Sequence, residues 1–217
     1  MLKLYFIRHG ETLSNTWHTL QGWSDTPLTA NGIMQGKALG KGLADIPFLK
    51  AYTSTSERAY DTACYALGKR NLKPIMCRGL KEMNFGTLET KPNSFLGCET
   101  YIERVTYDWS SVGGETIDDL TNRMAHTLHE IITLNEDQHG NIMCVSHGLS
   151  ILAAIRVVNE SLYETLLRDE TRFGNCCVTL ISFENGKFKV EDVNNMTYVE
   201  KGLNNEKNYK RSRKLFV

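Results

Sequence analysis

The chain has 217 residues, 41% of them hydrophobic, enough apolar surface for a substantial core. Lys plus Arg balance Asp plus Glu at 25 each, so no whole-chain field draws nucleic acid, and any attraction for an anion must be local. Before Arg8 there is one lysine and only a short apolar stretch, below the length of a signal-peptide core or a membrane span. The reading is a soluble, cytoplasmic protein with neither nucleic acid nor membrane as partner.

In chain order, Leu4, Tyr5, Phe6 and Ile7 read as a buried parallel strand, and Gly10 turns the chain sharply just after Arg8 and His9. Residues 13 to 30 are polar and turn-rich. Thr29 is the expected N-cap of a helix running to about Asp45. Phe48 to Thr53 reads as a second strand, Ser56 to Gly68 as a helix, and Leu72 to Arg78 as strand-like. Residues 84 to 115 lack periodicity and read as an inserted lid. Thr116 to Leu134 carries Ile117, Leu120, Met124, Leu128 and Ile131 at helical spacing, with Asp118 and Asp119 in its first turn. Asn141 to Ser146 is a second buried strand that ends in a histidine, His147, and a helix follows from about Leu149. Cys177 to Phe183 and Lys187 to Val193 flank Glu184-Asn185-Gly186, a hairpin with Asn-Gly at its turn.

Alternating strands and helices closed by a hairpin predict an α/β protein, a three-layer α/β/α sandwich on a mostly parallel sheet. The expected organisation is one domain over residues 1–217, with the lid at about 84–115 and a basic tail at about 201–217. Five basic side chains lie between Lys207 and Lys214, which read as a solvated end.

The six cysteines, at 64, 77, 98, 144, 176 and 177, form no CxxC pair and read as buried structural thiols in a reduced interior. Cys176 and Cys177, as neighbours on a strand, are expected to point to opposite faces. His126 and His129, three apart on one helix, have no third ligand paired with them in sequence and read as ordinary helix residues. His139 reads as a turn residue, and His18 as a candidate for the pocket entrance. Trp17, Trp23 and Trp109 are expected either to pack or to line the mouth.

Chemistry concentrates at two strand ends. His9 and His147 both follow buried parallel strands, and if those strands are neighbours the two rings meet where open α/β sheets gather ligands. Arg58 falls in the first turn of the helix after the second strand, adding its guanidinium and a helix N-terminus to Arg8. Two guanidiniums suit a phosphoryl group, whose transfer spreads charge over three equatorial oxygens, and they disfavour a proton on His9, leaving a neutral imidazole nucleophile. Glu82 follows the next strand-like run. Burial favours the protonated form of a carboxyl, which is what donation to a leaving oxygen requires. Asn15 and Gln21, on the loop after His9, are neutral donors.

Together these pieces resemble the histidine phosphatase superfamily, with its phosphoglycerate mutase-like fold. Arg8-His9-Gly10-Glu11-Thr12 with Asn15 is similar to its leading motif, and Gln21-Gly22, Thr26 to Thr29 and Gly32 to the stretch that follows. Ser54 to Ala63 resembles the second-arginine segment, Glu82 to Gly86 the acid segment, Gly113 to Thr116 a glycine-glycine-glutamate helix start, and Ser146-His147-Gly148 the second histidine. The resemblance spans about residues 1–183 and implies that His9 is phosphorylated in a covalent intermediate. It further implies that Arg8, Asn15, Gln21, Gly22, Arg58, His147 and Gly148 hold the phosphate, with Glu82 as acid and base, and with neither metal nor cofactor. Thr90 departs from the pattern, standing where a glycine usually follows Glu89. The arginine-arginine and proline-rich signature of the mutases is absent from the central insert. The expected activity is hydrolysis of a small phosphomonoester; the alternatives are a cofactor-dependent phosphoglycerate mutase and a non-catalytic phospho-ligand module. Oligomeric state is not legible.

Overall fold

The computed structural model describes residues 1–97 and 100–204, so Cys98 and the basic run Lys207 to Lys214 lie outside the described residues. Six strands form one sheet in the order β3-β2-β4-β1-β5-β6. These are β1 (Leu2–Arg8), β2 (Phe48–Thr53), β3 (Ile75–Met76), β4 (Gly140–Ser146), β5 (Val178–Glu184) and β6 (Lys187–Asn195). The first four in the order run parallel, while β5 is antiparallel to β1 and β6 to β5.

The apolar runs of β1 and β4 are continuous because both faces of the sheet are covered. Leu4 and Phe6 of β1, with Ile142 and Cys144 of β4, join one core. Helices α5 (Ile117–Thr133) and α6 (Gly148–Val158) pack there through Leu120, Met124, Leu128, Ile151 and Leu152. Tyr5 and Ile7, with Met143 and Val145, face a second core beneath α2 (Ala30–Gly42) and α3 (Glu57–Leu67). A shorter helix, α7 (Glu160–Arg168), follows α6 after the N-cap Asn159 and covers the first core with Tyr163. Thr29 caps α2 as expected, and Thr116 caps α5 in a reciprocal bond pair with Asp119.

Several local expectations are corrected. The polar stretch after His9 contains a five-residue helix, α1 (Leu13–Trp17), started by a reciprocal cap between Thr12 and Asn15. Of Leu72 to Arg78 only Ile75 and Met76 pair with β2, at an exposed edge. The described residues of segment 84–115 form single turns and one short helix, α4 (Tyr101–Val105). Cys176 is not in a strand but in a turn with φ 61° that precedes β5. That turn still sends Cys176 and Cys177 into opposite cores. Cys144, Cys176 and Cys177 are buried, whereas Cys64 is exposed on α3, against the expectation of a buried thiol. Trp109 is a core residue stacked near Phe85 and Tyr107, and Trp17 is exposed. Among the described residues no helix is long and apolar enough to cross a membrane.

Candidate active site

Because β1 and β4 are adjacent and in register from Leu2–Gly140 to Arg8–Ser146, the residues that follow them emerge side by side. The His9 N–H donates to the Ser146 carbonyl at 3.0 Å, and the two imidazole centroids stand 5.2 Å apart, edge to face. The chain leaves β1 under tight restraint. The Gly10 N–H donates to Thr62 Oγ1, and the Asn175 amide donates to the His9 carbonyl at 3.0 Å and to Asn15 Oδ1 at 3.2 Å. Asn175 was not legible as a site residue in the sequence, where nothing distinguishes it from any other loop asparagine.

Ring bonds fix both tautomers. His9 Nδ1 donates to the Gly10 carbonyl at 2.7 Å, and since a carbonyl can only accept, the lone pair is left on Nε2. At His147 the arrangement is reversed. Arg58 Nη2 donates to Nδ1 at 3.0 Å, so Nε2 carries the proton and donates to Ser54 Oγ at 2.8 Å. Burial, then Arg58 and Arg8, push His9 well below its ordinary pKa; burial and Arg58, with smaller contributions from His9, Arg8 and Lys81, do the same to His147. The direction expected for His9 is found, with desolvation as the larger cause.

Arg58, fully buried, is held by the loop that precedes α2. Its Nη1 donates to the Ser24 carbonyl and to Asp25 Oδ1, both at 2.9 Å, and its Nη2 to the carbonyls of Gly22 at 2.8 Å and Gln21 at 3.4 Å. That loop is in turn pinned by Glu89, whose carboxylate accepts from the backbone N–H groups of Gly22, Trp23, Ser24 and Phe85 and from the Ser24 hydroxyl. Gly22 therefore does not line the cleft: its N–H serves Glu89 and its carbonyl serves Arg58. A Cβ there would fall 2.1 Å from the Met83 carbonyl oxygen, which explains the glycine.

Glu82 sits opposite, buried, against the first turn of α6. Its Oε1 accepts from the N–H groups of Met83 and Ser150 and from the Ser150 hydroxyl, while Oε2 accepts only from the Leu149 N–H at 3.1 Å. Oε2 is thus the oxygen with spare capacity. A Cβ on Gly148 would stand 3.9 Å from both this oxygen and Arg8 Nε, so the glycine keeps the space between them clear. The Glu82 carbonyl is held by Trp23 Nε1 at 3.0 Å and by Arg123 Nη2 at 3.1 Å. Arg123 also grips Glu115 with two bonds of 2.8 and 2.7 Å. The roles of Arg123 and Glu89 are not legible in the sequence because both act on backbone that is remote in the chain.

The cleft between these groups has a volume of about 210 Å³. Arg8, His9, Asn15, Gln21, Glu82 and Gly148 line it, while Arg58 and His147 lie beneath, fully buried. Two guanidinium nitrogens, Arg8 Nε and Arg58 Nε, are buried without a partner. Arg8 uses Nη1 on the Phe173 carbonyl. Gln21 is already engaged, its Oε1 accepting from Thr12 Oγ1 and its Nε2 donating to Thr26 Oγ1. His18, in the left-handed region at φ 55°, caps α1 and does not line the cleft. Trp23 has Arg78 and Lys81 over its ring and is not among the residues that line the cleft. Chemically the cleft offers a neutral imidazole lone pair, cationic donors without acceptors, and a carboxyl oxygen with room for a proton.

A fold with paired histidines at adjacent parallel strand ends, backed by arginines, defines a phosphate-handling α/β class, and comparison with known proteins names it. The family model for the histidine phosphatase superfamily, branch 1, matches residues 4–196, and the chain belongs to that superfamily. It is 33% identical over 161 residues to an adenosylcobalamin/alpha-ribazole phosphatase of Salmonella typhimurium, covering 70% of this chain and 78% of that one. Among solved structures it is similar to a phosphoglycerate mutase from Bacillus anthracis, with 31% identity, a TM-score of 0.80 and coverage of 93% and 96% of the two chains. It is also similar to a phosphoserine phosphatase from Entamoeba histolytica solved with 3-phosphoglyceric acid, at 28% identity, a TM-score of 0.75 and coverage of 92% and 100%.

Proposed function

We propose that the protein is a phosphomonoester hydrolase that acts on a small phosphorylated metabolite through a phosphohistidine at His9. The observation that carries this reading is the juxtaposition of His9 Nε2, the ring nitrogen left with its lone pair, and two buried guanidinium N–H groups that have no acceptor. An unpaired buried donor is costly, and a phosphoryl oxygen would satisfy both. Arg8, Arg58, Asn15, Gln21, His147 and Gly148 form the phosphate site in this reading, and Gly22 serves it by holding Arg58.

In the first half-reaction Nε2 attacks phosphorus, the ester P–O bond breaks, and the leaving oxygen takes a proton from Glu82 Oε2. In the second, water attacks the phosphohistidine, its proton passes to Glu82, the P–N bond breaks, and inorganic phosphate departs. Keeping His9 neutral preserves its nucleophilicity at neutral pH. The reading also takes residues 1–217 as one domain, with segment 84–115 as its lid over a cleft sized for a small molecule, and places the protein in the cytoplasm.

A mutase reading is favoured by the relatives that carry that name. It shares the first half-reaction and differs in returning the phosphoryl group to a second hydroxyl of the substrate. Absence of the arginine-arginine and proline-rich signature from the insert supports hydrolysis instead. The test is p-nitrophenyl phosphate turnover by wild type and by His9→Ala, with acid-labile, base-stable phosphate sought on the wild-type protein, and 3-phosphoglycerate with bisphosphoglycerate as the mutase assay. Full turnover by His9→Ala overturns the phosphohistidine mechanism.

A further inference from the structure

The phosphate site of the proposed function accounts for Arg8 and Arg58 and leaves two further guanidiniums on the same cleft unexplained. Arg104 lies on α4, and Arg172 in the loop between α7 and β5, next to Phe173. Both lie over one ring: the Arg104 guanidinium carbon is 5.9 Å and that of Arg172 5.7 Å from the centroid of Tyr101. Among the described residues no carboxylate pairs with either. Glu170 accepts from the Tyr101 N–H at 3.2 Å. The Tyr101 phenol cannot neutralise them, because burial, with the Glu82 charge, pushes its pKa up to about 12. Among the described residues the cleft is therefore lined by three arginines and one carboxylate, Glu82, a local excess of positive charge that suits an anion.

We propose, on the footing of the phosphatase reading, that the substrate carries a second anionic group, which Arg104 and Arg172 receive beside Tyr101 while its phosphoryl group lies at Arg8 and His9. Cations on two separate elements, α4 and the α7–β5 loop, would be drawn together by that group, which makes it a specificity contact rather than part of the bond-breaking machinery. Guanidinium planes match carboxylate and phosphoryl geometry equally well, so the shared chemistry is a second oxyanion on a small phosphomonoester.

Matched pairs that differ in one group test this. 3-Phosphoglycerate against glycerol 3-phosphate compares a carboxylate with a hydroxymethyl group on the same carbon skeleton, and fructose 1,6-bisphosphate against fructose 6-phosphate compares the presence and absence of a second phosphoryl group. Binding is measured by calorimetry, with inactive His9→Ala if the wild type turns a ligand over, and kcat/KM is measured alongside. The expected result is that the member carrying the second anionic group in at least one pair binds roughly tenfold or more tightly, the scale of one charge-assisted contact. That preference should shrink by roughly tenfold in Arg104→Gln and in Arg172→Gln and be partly retained in Arg172→Lys. The pair that discriminates tells a carboxylate from a phosphoryl group. Equal binding of both members of both pairs, or variants that weaken both members alike, overturns the proposal. Failure of the wild type to hydrolyse p-nitrophenyl phosphate, with the binding preference intact, overturns the phosphatase reading and leaves the second-anion site standing.

Discussion

Glu89 controls the site without touching it, and Glu89→Gln tests whether that control is real. Its two oxygens accept separate sets of donors, Oε1 from the N–H groups of Trp23 and Phe85, and Oε2 from the N–H groups of Gly22 and Ser24 and from the Ser24 hydroxyl. Glutamine is nearly isosteric, but whichever way its amide turns, an NH₂ group faces two backbone N–H donors. Two bonds to a charged acceptor are then lost. Each is worth about 1.5–3 kcal/mol, and water reaching this half-exposed side chain restores part, so a net destabilisation of about 2–4 kcal/mol is expected. In a chain of 217 residues that lowers Tm by roughly 4–16 °C. Function should fall with it, because the freed loop supplies the carbonyls of Gln21, Gly22 and Ser24 that aim Arg58. A drop of at least about tenfold in kcat/KM for p-nitrophenyl phosphate is expected at a temperature where the variant remains folded, the scale of one misplaced charge-assisted contact. Urea denaturation and steady-state kinetics on the same preparation read both effects. A variant within about 0.5 kcal/mol of wild type, the range of an ordinary surface substitution, with unchanged kcat/KM would refute the account of the loop.

Thr90 holds φ 70°, a conformation that costs a β-branched residue about 1–2 kcal/mol. Thr90→Gly removes that strain and adds about 0.5–1 kcal/mol of chain entropy to be lost on folding. A net gain of about 0.5–1 kcal/mol is expected, read as a Tm rise of a few degrees, and a fall in Tm would show that the threonine side chain itself contributes. Acid should destabilise the protein earlier than carboxylate titration does. His9 and His147 are both held below 6.5, so the unfolded chain binds protons first as pH falls. Their contribution is complete above about pH 6.5 and declines below it by up to about 1.4 kcal/mol per pH unit for each ring, until each folded-state pKa is reached. Urea midpoints between pH 7.5 and 5.0 for wild type and His9→Gln measure this. The difference between the two proteins should change by about that slope for one ring, and a pH-independent difference would contradict a neutral His9.

How far the sequence carries can be seen at particular residues. The helix from Thr116 and the hairpin at Asn185-Gly186 were legible because capping, periodicity and positive φ are local properties, and the structure has them at the expected places. Of the run Leu72 to Arg78 only Ile75 and Met76 pair, and both are exposed at the sheet edge, because an apolar run does not by itself say whether a layer covers it. The buried character of Cys64 was overread for a related reason: helical context does not say which face is covered. Arg8, His9, Asn15, Gln21, Arg58, Glu82, His147 and Gly148 do converge on one cleft or directly beneath it, whereas Gly22 turns its N–H away to Glu89.

By itself the sequence determined the residue chemistry and its placement at strand ends, because a short apolar run followed by Arg-His-Gly is written in consecutive residues. Only the tertiary structure decided which strand end lies beside which, and hence that His9 and His147 share one pocket. It alone set the two ring tautomers, the orphaned N–H groups of Arg8 and Arg58, and the roles of Glu89, Arg123 and Asn175. Apart from the His9 Nδ1–Gly10 bond, which is local, these depend on which residues far apart in the chain come within hydrogen-bonding reach, and a hydrogen bond is fixed by distance and angle, which sequence separation does not encode.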